Sequence, residues 1–308
     1  MAPSIAIIII NYNKAQDTIE CVRSLKSITY PSVNIIVLDN GSTDDSAEVL
    51  KSLEPGIYLL RSTANMGFAA GNNYAYRFAL TLSPEYVLLL NNDTLVEPDF
   101  LEPMVDSLEN DNRALIAGGS IEYFPQKETL WYAGGTYIPW RASCFSRQTK
   151  SQNGNVKTDV ELVSFITGCL MLVRVGGMDN PDLFDERYFM YFEDADLCVR
   201  SLTRGYHLLY VPSARIYHKV CHAGDTPFTM YYGVRNRLLF IRVRMKGWQR
   251  LVATIYFSVI MRLKMLYWVF ENKNLFHAAK QGWKDYYKGV FYKGSGSLFL
   301  KDDGGITS

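Results

Sequence analysis

The sequence predicts an α/β fold, a mostly parallel sheet flanked by helices on both faces, and three observations carry that reading. Up to about residue 120, continuous apolar runs alternate with stretches of helical period, which is the pattern of strands buried on both faces. Polar clusters follow these runs and do not interrupt them. The composition, 48% hydrophobic and 20% charged over 308 residues, is that of a folded chain able to bury one large core.

Ile5 to Ile10 is the first strand; it has no basic flank or small-residue cleavage site and is too short to span a bilayer. Ala15 to Ser27 reads as a helix with Ile19, Val22 and Leu25 on one side, and Asn34 to Leu38 as the second strand. Ser42 and Thr43 offer N-caps for a helix through Leu53. Strands at Ile57 to Leu60, Glu85 to Leu90 and Leu115 to Ala117 follow, with helices at about Ala69 to Leu82 and Asp99 to Asn110. Tyr123 to Asp159, with Trp131, Trp140 and the SQNGN stretch, reads as an irregular, loop-rich insertion. One strand is expected over Val163 to Val173, a helix start within FMYFEDADLCVR (Phe189 to Arg200), and two extended pieces, His207 to Val211 and Ala214 to His218, parted by Pro212.

Ligands of such sheets bind beyond the carboxyl ends of the strands. Asn11-Tyr12-Asn13, Asp39-Asn40 and Asn91-Asn92-Asp93 all fall there and are expected to line one crevice. The first loop, NYNKAQD, has no glycine and the chain has no GxxxxGK, so dinucleotide-binding and P-loop readings fail. Asp93 fits either a polar turn or an oxygen ligand for a divalent cation that shares a diphosphate. Asp39 fits either a cap for the Gly41-Ser42-Thr43 turn or an acceptor for N3–H of uracil or thymine, with Tyr12 and Asn13 bordering the base. Five scattered cysteines without CxxC spacing exclude a disulfide framework and fit a reducing cytosol. A zinc reading of His218, Cys221 and His222 lacks a second ligand pair.

Taken together, IIINYN, VLDNGSTDDS, NMGFAAGNN, LLLNNDT and FDERYFMYFEDADLCVRSLTRGYHLLYVPSARIYH resemble glycosyltransferase family 2 in its bacterial rhamnosyltransferase-like branch, from about Ser4 to Arg237. The resemblance implies the GT-A nucleotide-diphospho-sugar transferase fold and an inverting, single-displacement hexosyl transfer from a nucleotide-sugar. By position, Asn91-Asn92-Asp93 corresponds to the family's DxD-type motif, with one carboxylate where many relatives have more; Asp93 and His218 would hold Mg²⁺ or Mn²⁺, with Asn92 nearby. Asp194 matches the general base of the ED motif, and Glu193 would orient the acceptor or the base. Asp196 is expected to serve a structural ion pair, with either it or Asp194 able to hold Arg200. Asn65, Gly67 and Asn72 of the donor-side loop, together with Asn11, Tyr12, Asn13 and Asp39, would contact the donor, Gly67 and Gly71 allowing close backbone approach and the helix N-terminus favouring diphosphate. Arg235, in YYGVRNRLLFI, would contact a diphosphate or anchor the tail.

The net charge of +1 conceals an asymmetry, because Arg235 to Lys293 holds thirteen Lys and Arg against Glu271 and Asp285, a segment of +11 on a body of −10. Leu251 to Phe270 is long enough to span, but Arg262 and Lys264 lie within it. Amphipathic helices on an anionic membrane, with Tyr267, Trp268 and Trp283 at the interface, are expected; a helical cap on the body is the alternative. No nucleic-acid motif accompanies the charge. The expected organisation is a catalytic domain over 1–230 (nucleotide-binding half to about 120, acceptor-side half from 121), a basic helical region over 231–293, and a flexible tail over 294–308. The expected activity is metal-dependent transfer, leaning to dTDP-L-rhamnose, onto a glycan, presumed lipid-linked, at the inner face of a bacterial membrane in polysaccharide assembly. UDP-galactofuranose, UDP-glucose or UDP-galactose are competing donors; a nucleotidyltransferase and a non-catalytic sugar-nucleotide-binding protein are the rival classes.

Overall fold

The computed structural model describes residues 2–125, 129–150, 159–178, 182–219, 225–296 and 298. In chain order the elements are β1 (Ile5–Asn11), α1 (Ala15–Leu25), β2 (Val33–Asp39), α2 (Ser46–Val49), β3 (Tyr58–Arg61), α3 (Gly67–Leu80), β4 (Tyr86–Asn91), β5 (Thr94–Val96), α4 (Leu101–Glu109) and β6 (Ala114–Tyr123). There follow β7 (Thr129–Tyr132), β8 (Gly135–Ile138), β9 (Ser143–Ser146), β10 (Thr149–Lys150), β11 (Glu161–Val163), β12 (Leu170–Arg174), α5 (Glu193–Thr203), β13 (His207–His218), α6 (Pro227–Arg244), α7 (Gly247–Glu271) and α8 (Lys273–Lys288).

The main sheet runs β10-β7-β6-β12-β4-β1-β2-β3. Strands β3, β2, β1 and β4 are mutually parallel, β12 opposes them, and β6 resumes their direction with β13 parallel beside it. Ile5 to Ile9 are fully buried, as is the run Val87 to Leu89, so the continuous apolar runs are explained by helices covering both faces.

Four local expectations are corrected. The helix before Leu53 is a single α-turn continued as a 3₁₀ turn, and Ser42 and Thr43 do not cap it. The span Val163 to Val173 is broken into β11 and β12, with Ile166 to Cys169 forming the corner between them. β13 is instead continuous across Pro212, which sits in a register shift between Val211 and Arg215, where its missing N–H is tolerated. The stretch read as an irregular insertion contains β7 to β10; its SQNGN residues, like Cys221 and His222, lie outside the described residues.

After the sheet, α6 and α8 pack together and α7 lies against Pro139–Arg141, the turn joining β8 to β9. Of the aromatic residues expected at a membrane interface, Trp268 is buried and Trp283 stacks on Phe257 with centroids 6.0 Å apart; Tyr267 is exposed. The tail does not begin as a free linker at Gly294: Ser295 N–H donates to Tyr231 Oη at 3.0 Å, and Tyr232 Oη donates to the Lys293 carbonyl at 2.8 Å. The remainder of the expected tail, from 299 onward, falls outside the described residues.

Candidate active site

Because β1 is in register with β2 and β4, Asn11 stands beside Asp39 and Ile10 beside Asn91, and the three polar clusters emerge at one end of the sheet. They divide into floor and wall. Asn11 Nδ2 donates to Asp39 Oδ1 at 3.1 Å and to Ser42 Oγ at 3.2 Å, while its Oδ1 accepts from Thr18 Oγ1 at 2.8 Å. Asn13, at φ 53°, accepts from the Thr43 N–H at 2.8 Å. These bonds knit Asn11, Asn13 and Asp39 into the support of a pocket of about 530 Å³, whose walls include Tyr12, Asn40, Asn65, Gly67, Phe68, Asn92, Asp93 and Met190.

The donor-side loop is held by Asn40, which donates to the Gly67 carbonyl at 3.0 Å and accepts from Met66 N–H at 3.1 Å. Gly67 has φ +84°, and a Cβ there would lie 2.5 Å from Phe189, so the glycine is required both by its conformation and by this close approach. The expectation that the start of α3 offers free amides to a diphosphate is modified: Gly67 N–H is taken by Asn65 Oδ1 at 2.8 Å and Ala69 N–H by the Phe189 carbonyl at 3.2 Å. Asn72 is also corrected. It is 1% exposed, its amide donates to the Phe68 carbonyl one turn back, and it does not line the pocket.

Asp93 and His218 meet where β13 pairs with β5, His218 opposite Thr94. His218 Nε2 lies 2.9 Å from Asp93 Oδ1; both residues are buried, and Asp93 Oδ2 has no hydrogen-bond partner. Two ligands at adjacent vertices of an octahedral ion with bonds of about 2.1 Å stand about 3 Å apart, so this pair fits one divalent cation and the orphaned oxygen gives it reason to bind. Burial opposes charge on His218, but the adjacent Cys169 sulfur and the Asp93 carboxylate outweigh it and push its pKa up to about 10. Among the described residues no group of three or more His, Cys, Asp or Glu is placed to hold a metal, so the remaining positions would fall to amide or backbone oxygens, water or substrate phosphate.

The break between β11 and β12 has a consequence for the carboxylates of Phe189 to Arg200. Gly168 N–H donates to Asp194 Oδ2 at 3.2 Å, and the next residue, Cys169, accepts at its carbonyl from Asn91 N–H at 3.0 Å. This two-residue corner joins the first turn of α5 to the strand end that carries Asp93. Asp194 and Glu193 line a second pocket of about 950 Å³ with Trp131, Phe165, Tyr191 and Phe192, and Phe68 lines both pockets. Burial raises Asp194 to about 6 against the opposing hydrogen bonds from Gly168 and Ala195. Glu193 is raised further by burial and by Asp194, and its Oε2 has no partner. Asp196 points away: fully buried, it holds Arg200 at 3.0 Å, Tyr188 Oη at 3.0 Å and, in addition, Arg244 from α6. The crowding of three carboxylates is therefore resolved by direction, one into the core and two into a pocket.

Arg235 is the clearest misplacement. It is fully buried and donates to the carbonyls of Tyr292, Arg187 and Tyr188 at 2.6, 3.2 and 2.9 Å, and it lines neither pocket. Of its two expected roles, the anchoring one describes these bonds. The residue missed was its neighbour. Asn236 Nδ2 donates to the carbonyls of Tyr188, Met190 and Tyr191 at 2.7–2.8 Å, clamping a loop in which Phe189, Tyr191 and Phe192 have φ of 62°, 67° and 76°. The only sequence signal was an amide beside a basic residue in an apolar helix.

A family model described as Glycosyl transferase family 2 matches residues 6–177. The N-acetylglucosaminyl-diphospho-decaprenol L-rhamnosyltransferase of Mycobacterium tuberculosis is 24% identical over 222 residues, covering 64% of this chain and 70% of that one. Rhamnosyltransferase WbbL of Escherichia coli is 27% identical over 199 residues, covering 56% and 72%. Among solved structures, GalNAc-T7 with UDP, GalNAc and Mn²⁺ superimposes with a TM-score of 0.60 at 16% identity over 78% of this chain; the match spans about half, 48%, of that chain. The fold is GT-A.

Proposed function

The chain belongs to glycosyltransferase family 2 and is a glycosyltransferase, and from that premise we propose that it is an inverting, metal-dependent enzyme moving L-rhamnose from a dTDP donor to a lipid-linked glycan at the cytoplasmic face of a bacterial membrane. The observation that carries the mechanism is the Gly168-Cys169 corner, which sets the Asp194 carboxylate beside the crevice holding Asp93.

The residues up to about 120 supply the donor crevice and those from 121 to 230 the acceptor side. Asp93 and His218 would hold Mg²⁺ or Mn²⁺, which would offset the charge of the departing diphosphate. Among the described residues no Lys or Arg lines the crevice. Tyr12 borders the base, and Asp39, fixed by Asn11 and Ser42, supports that wall. Asp194 accepts the proton of the attacking acceptor hydroxyl; a carboxylate raised to about 6 is ionised at neutral pH and a better base than an ordinary aspartate. Glu193, whose burial beside Asp194 favours its neutral form, would orient the acceptor or the base. Trp131, Tyr191 and Phe192 present flat faces to a sugar and exclude water.

The rhamnosyl group is supported by what both bacterial relatives are named for, and the lipid-linked acceptor by the name of the Mycobacterium tuberculosis one. The test is release of nucleoside diphosphate from a panel of dTDP- and UDP-sugars with and without Mn²⁺ or Mg²⁺, with Asp194→Asn as control. Metal-dependent turnover of dTDP-L-rhamnose, abolished in the variant, is expected. Turnover of a UDP-hexose alone would replace the donor, pyrophosphate release from a nucleoside triphosphate would indicate nucleotidyl transfer, and undiminished activity of Asp194→Asn would remove the assigned base.

A further inference from the structure

Helix α7 has two faces of opposite character. Ala253, Phe257, Met261 and Trp268 are buried against the protein, with the Arg237 guanidinium 4.7 Å from the Phe257 ring centre. On the other side Trp248, Leu251, Ile255, Val259, Leu266 and Phe270 are exposed, Trp248 by 70% and Phe270 by 79%. Eleven large apolar or aromatic side chains of this one helix stand in solvent. Soluble monomers rarely leave a contiguous apolar patch beyond roughly 300–600 Å² uncovered.

The patch continues onto the β8–β9 hairpin. Trp140 packs edge-on against Tyr256 of α7 with centroids 4.9 Å apart, and Arg141 lies 4.8 Å from the Trp140 ring and 5.4 Å from that of Phe145; both aromatic residues are nearly half exposed. The same hairpin contributes Ser143, Cys144 and Ser146 to the wall of the Asp194 pocket.

Charge identifies what covers this surface. Arg250, Arg262 and Lys264 are exposed on α7, and Lys273, Lys280, Lys284 and Lys288 on α8, whereas Glu271 is the one exposed acid between Gly247 and Lys293, Asp285 being buried. An apolar stripe set among cations complements an anionic lipid surface; a second copy would bring the same +11 segment against itself. By length and composition α7 is also apolar enough to cross a membrane, but crossing would strip its buried face from α6, α8 and the hairpin turn, so it lies in the interface.

We propose that the outward face of α7, together with Trp140 and Phe145, docks the enzyme on anionic lipid so that the Asp194 pocket opens beside the membrane. The docking stands on surface chemistry alone; its purpose, receiving a lipid-held acceptor, rests on the transfer proposed above.

The test is flotation of the full chain with phosphatidylglycerol-containing and with pure phosphatidylcholine vesicles, paired with dTDP and UDP binding by calorimetry. The chain is expected to float with anionic vesicles at low salt, and its tryptophan emission to shift to the blue, a shift that Trp248→Phe should diminish. Ile255→Glu with Leu266→Glu is expected to lower the bound fraction at least tenfold with nucleotide affinity unchanged. Lys280→Glu with Lys284→Glu, which leaves the apolar face intact, is expected to weaken binding at least roughly twentyfold, about fivefold per lost charge. Wild-type protein that binds nucleotide but floats with neither vesicle overturns the proposal, as does a lipid-independent dimer dissociated by the α7 substitutions. Flotation without any nucleotide binding would leave the docking standing and count against the transfer reading.

Discussion

Replacing Asn236 by Ala should impair the chemistry more than it impairs nucleotide binding. The Asn236 amide is a donor to the Met190 and Tyr191 carbonyls, and shares Tyr188 with Arg235. Its removal leaves two carbonyls short of that partner, each costing about 1–3 kcal/mol where water does not enter. Against that clamp stands a loop with three non-glycine residues at positive φ, each disfavoured by roughly 1–2 kcal/mol. With the clamp gone the loop is expected to relax toward ordinary φ, and because Phe192 immediately precedes α5, the relaxation moves Asp194. The variant should lose about 2–4 kcal/mol of stability in denaturant unfolding, and kcat should fall roughly a hundredfold, the scale of an ångström-sized misplacement of a reacting group. Nucleotide affinity should fall less than kcat, since Asn40 and Asn65 hold the donor-side loop directly and the relaxing segment reaches the crevice only through Met190 and the Phe189 carbonyl. Asn236→Asp sharpens the test: protonated it restores one donor, ionised it faces carbonyls, so its deficit should be smaller at pH 5 than at pH 8. Wild-type kcat in Asn236→Ala, or equal losses of kcat and nucleotide affinity, would refute the reasoning.

Asp194 makes two linked predictions. With the base at about 6, kcat/KM should fall as pH drops through 6, and Asp194→Asn should remove that limb together with the activity. The raised folded-state value also means that ionisation opposes folding: the contribution is neutral below the unfolded value of about 4, turns unfavourable between 4 and 6, and levels off above. Asp194→Asn should therefore gain stability over wild type across that window, to a ceiling of about 3 kcal/mol, read from unfolding curves at pH 4 and pH 7; equal stability at both would contradict the burial argument. Asp93→Ala should abolish dTDP-dependent Mn²⁺ binding measured by calorimetry and should also lower the melting temperature, because removing one orphaned oxygen is outweighed by leaving the buried His218 without its carboxylate partner; undiminished metal binding would exclude the Asp93 site. Gly67→Ala should cost about 2–4 kcal/mol, combining positive φ with a clash on Phe189, and a neutral result in thermal unfolding would disprove that close approach.

What the sequence made legible was whatever depends on local pattern. The parallel strands were readable because burial on both faces removes polar residues from them, and the clusters after β1, β2 and β4 because only strand ends admit such groups. Roles that depend on direction were not readable. Asn11 and Asn13 share residue type with Asn65 and Asn92, yet the first two turn with Asp39 into the support of the crevice while the others reach its wall. Arg235 looked like a phosphate ligand because an exposed arginine would be one, and its burial is decided by Arg187, Tyr188 and Tyr292, far away in the chain. The division of Val163 to Val173 was invisible for a related reason: Ser164 to Gly168 leaves the strand to bring an amide to Asp194, and that bond lies 26 residues on.

These tertiary bonds also change what the basic C-terminal segment is. Had it been a separable anchor, its polar contacts would lie on its own surface. Instead the adjacent residues Arg235 and Asn236 hold both the loop that leads into Glu193 and Asp194 and, through the Tyr292 carbonyl, the chain beyond α8; Asp285 of α8 in turn accepts from Tyr231 one turn earlier on α6. The helix whose partner is α8 therefore also sets the backbone around the proposed base. Burying Asp285 and Arg235 is costly unless every bond is made, so the docking of α6 on α8 and the holding of the strained loop are energetically linked. The apolar face of α7 belongs to this same assembly, and a lipid surface that steadies α7 would steady the elements on which the catalytic carboxylates rest.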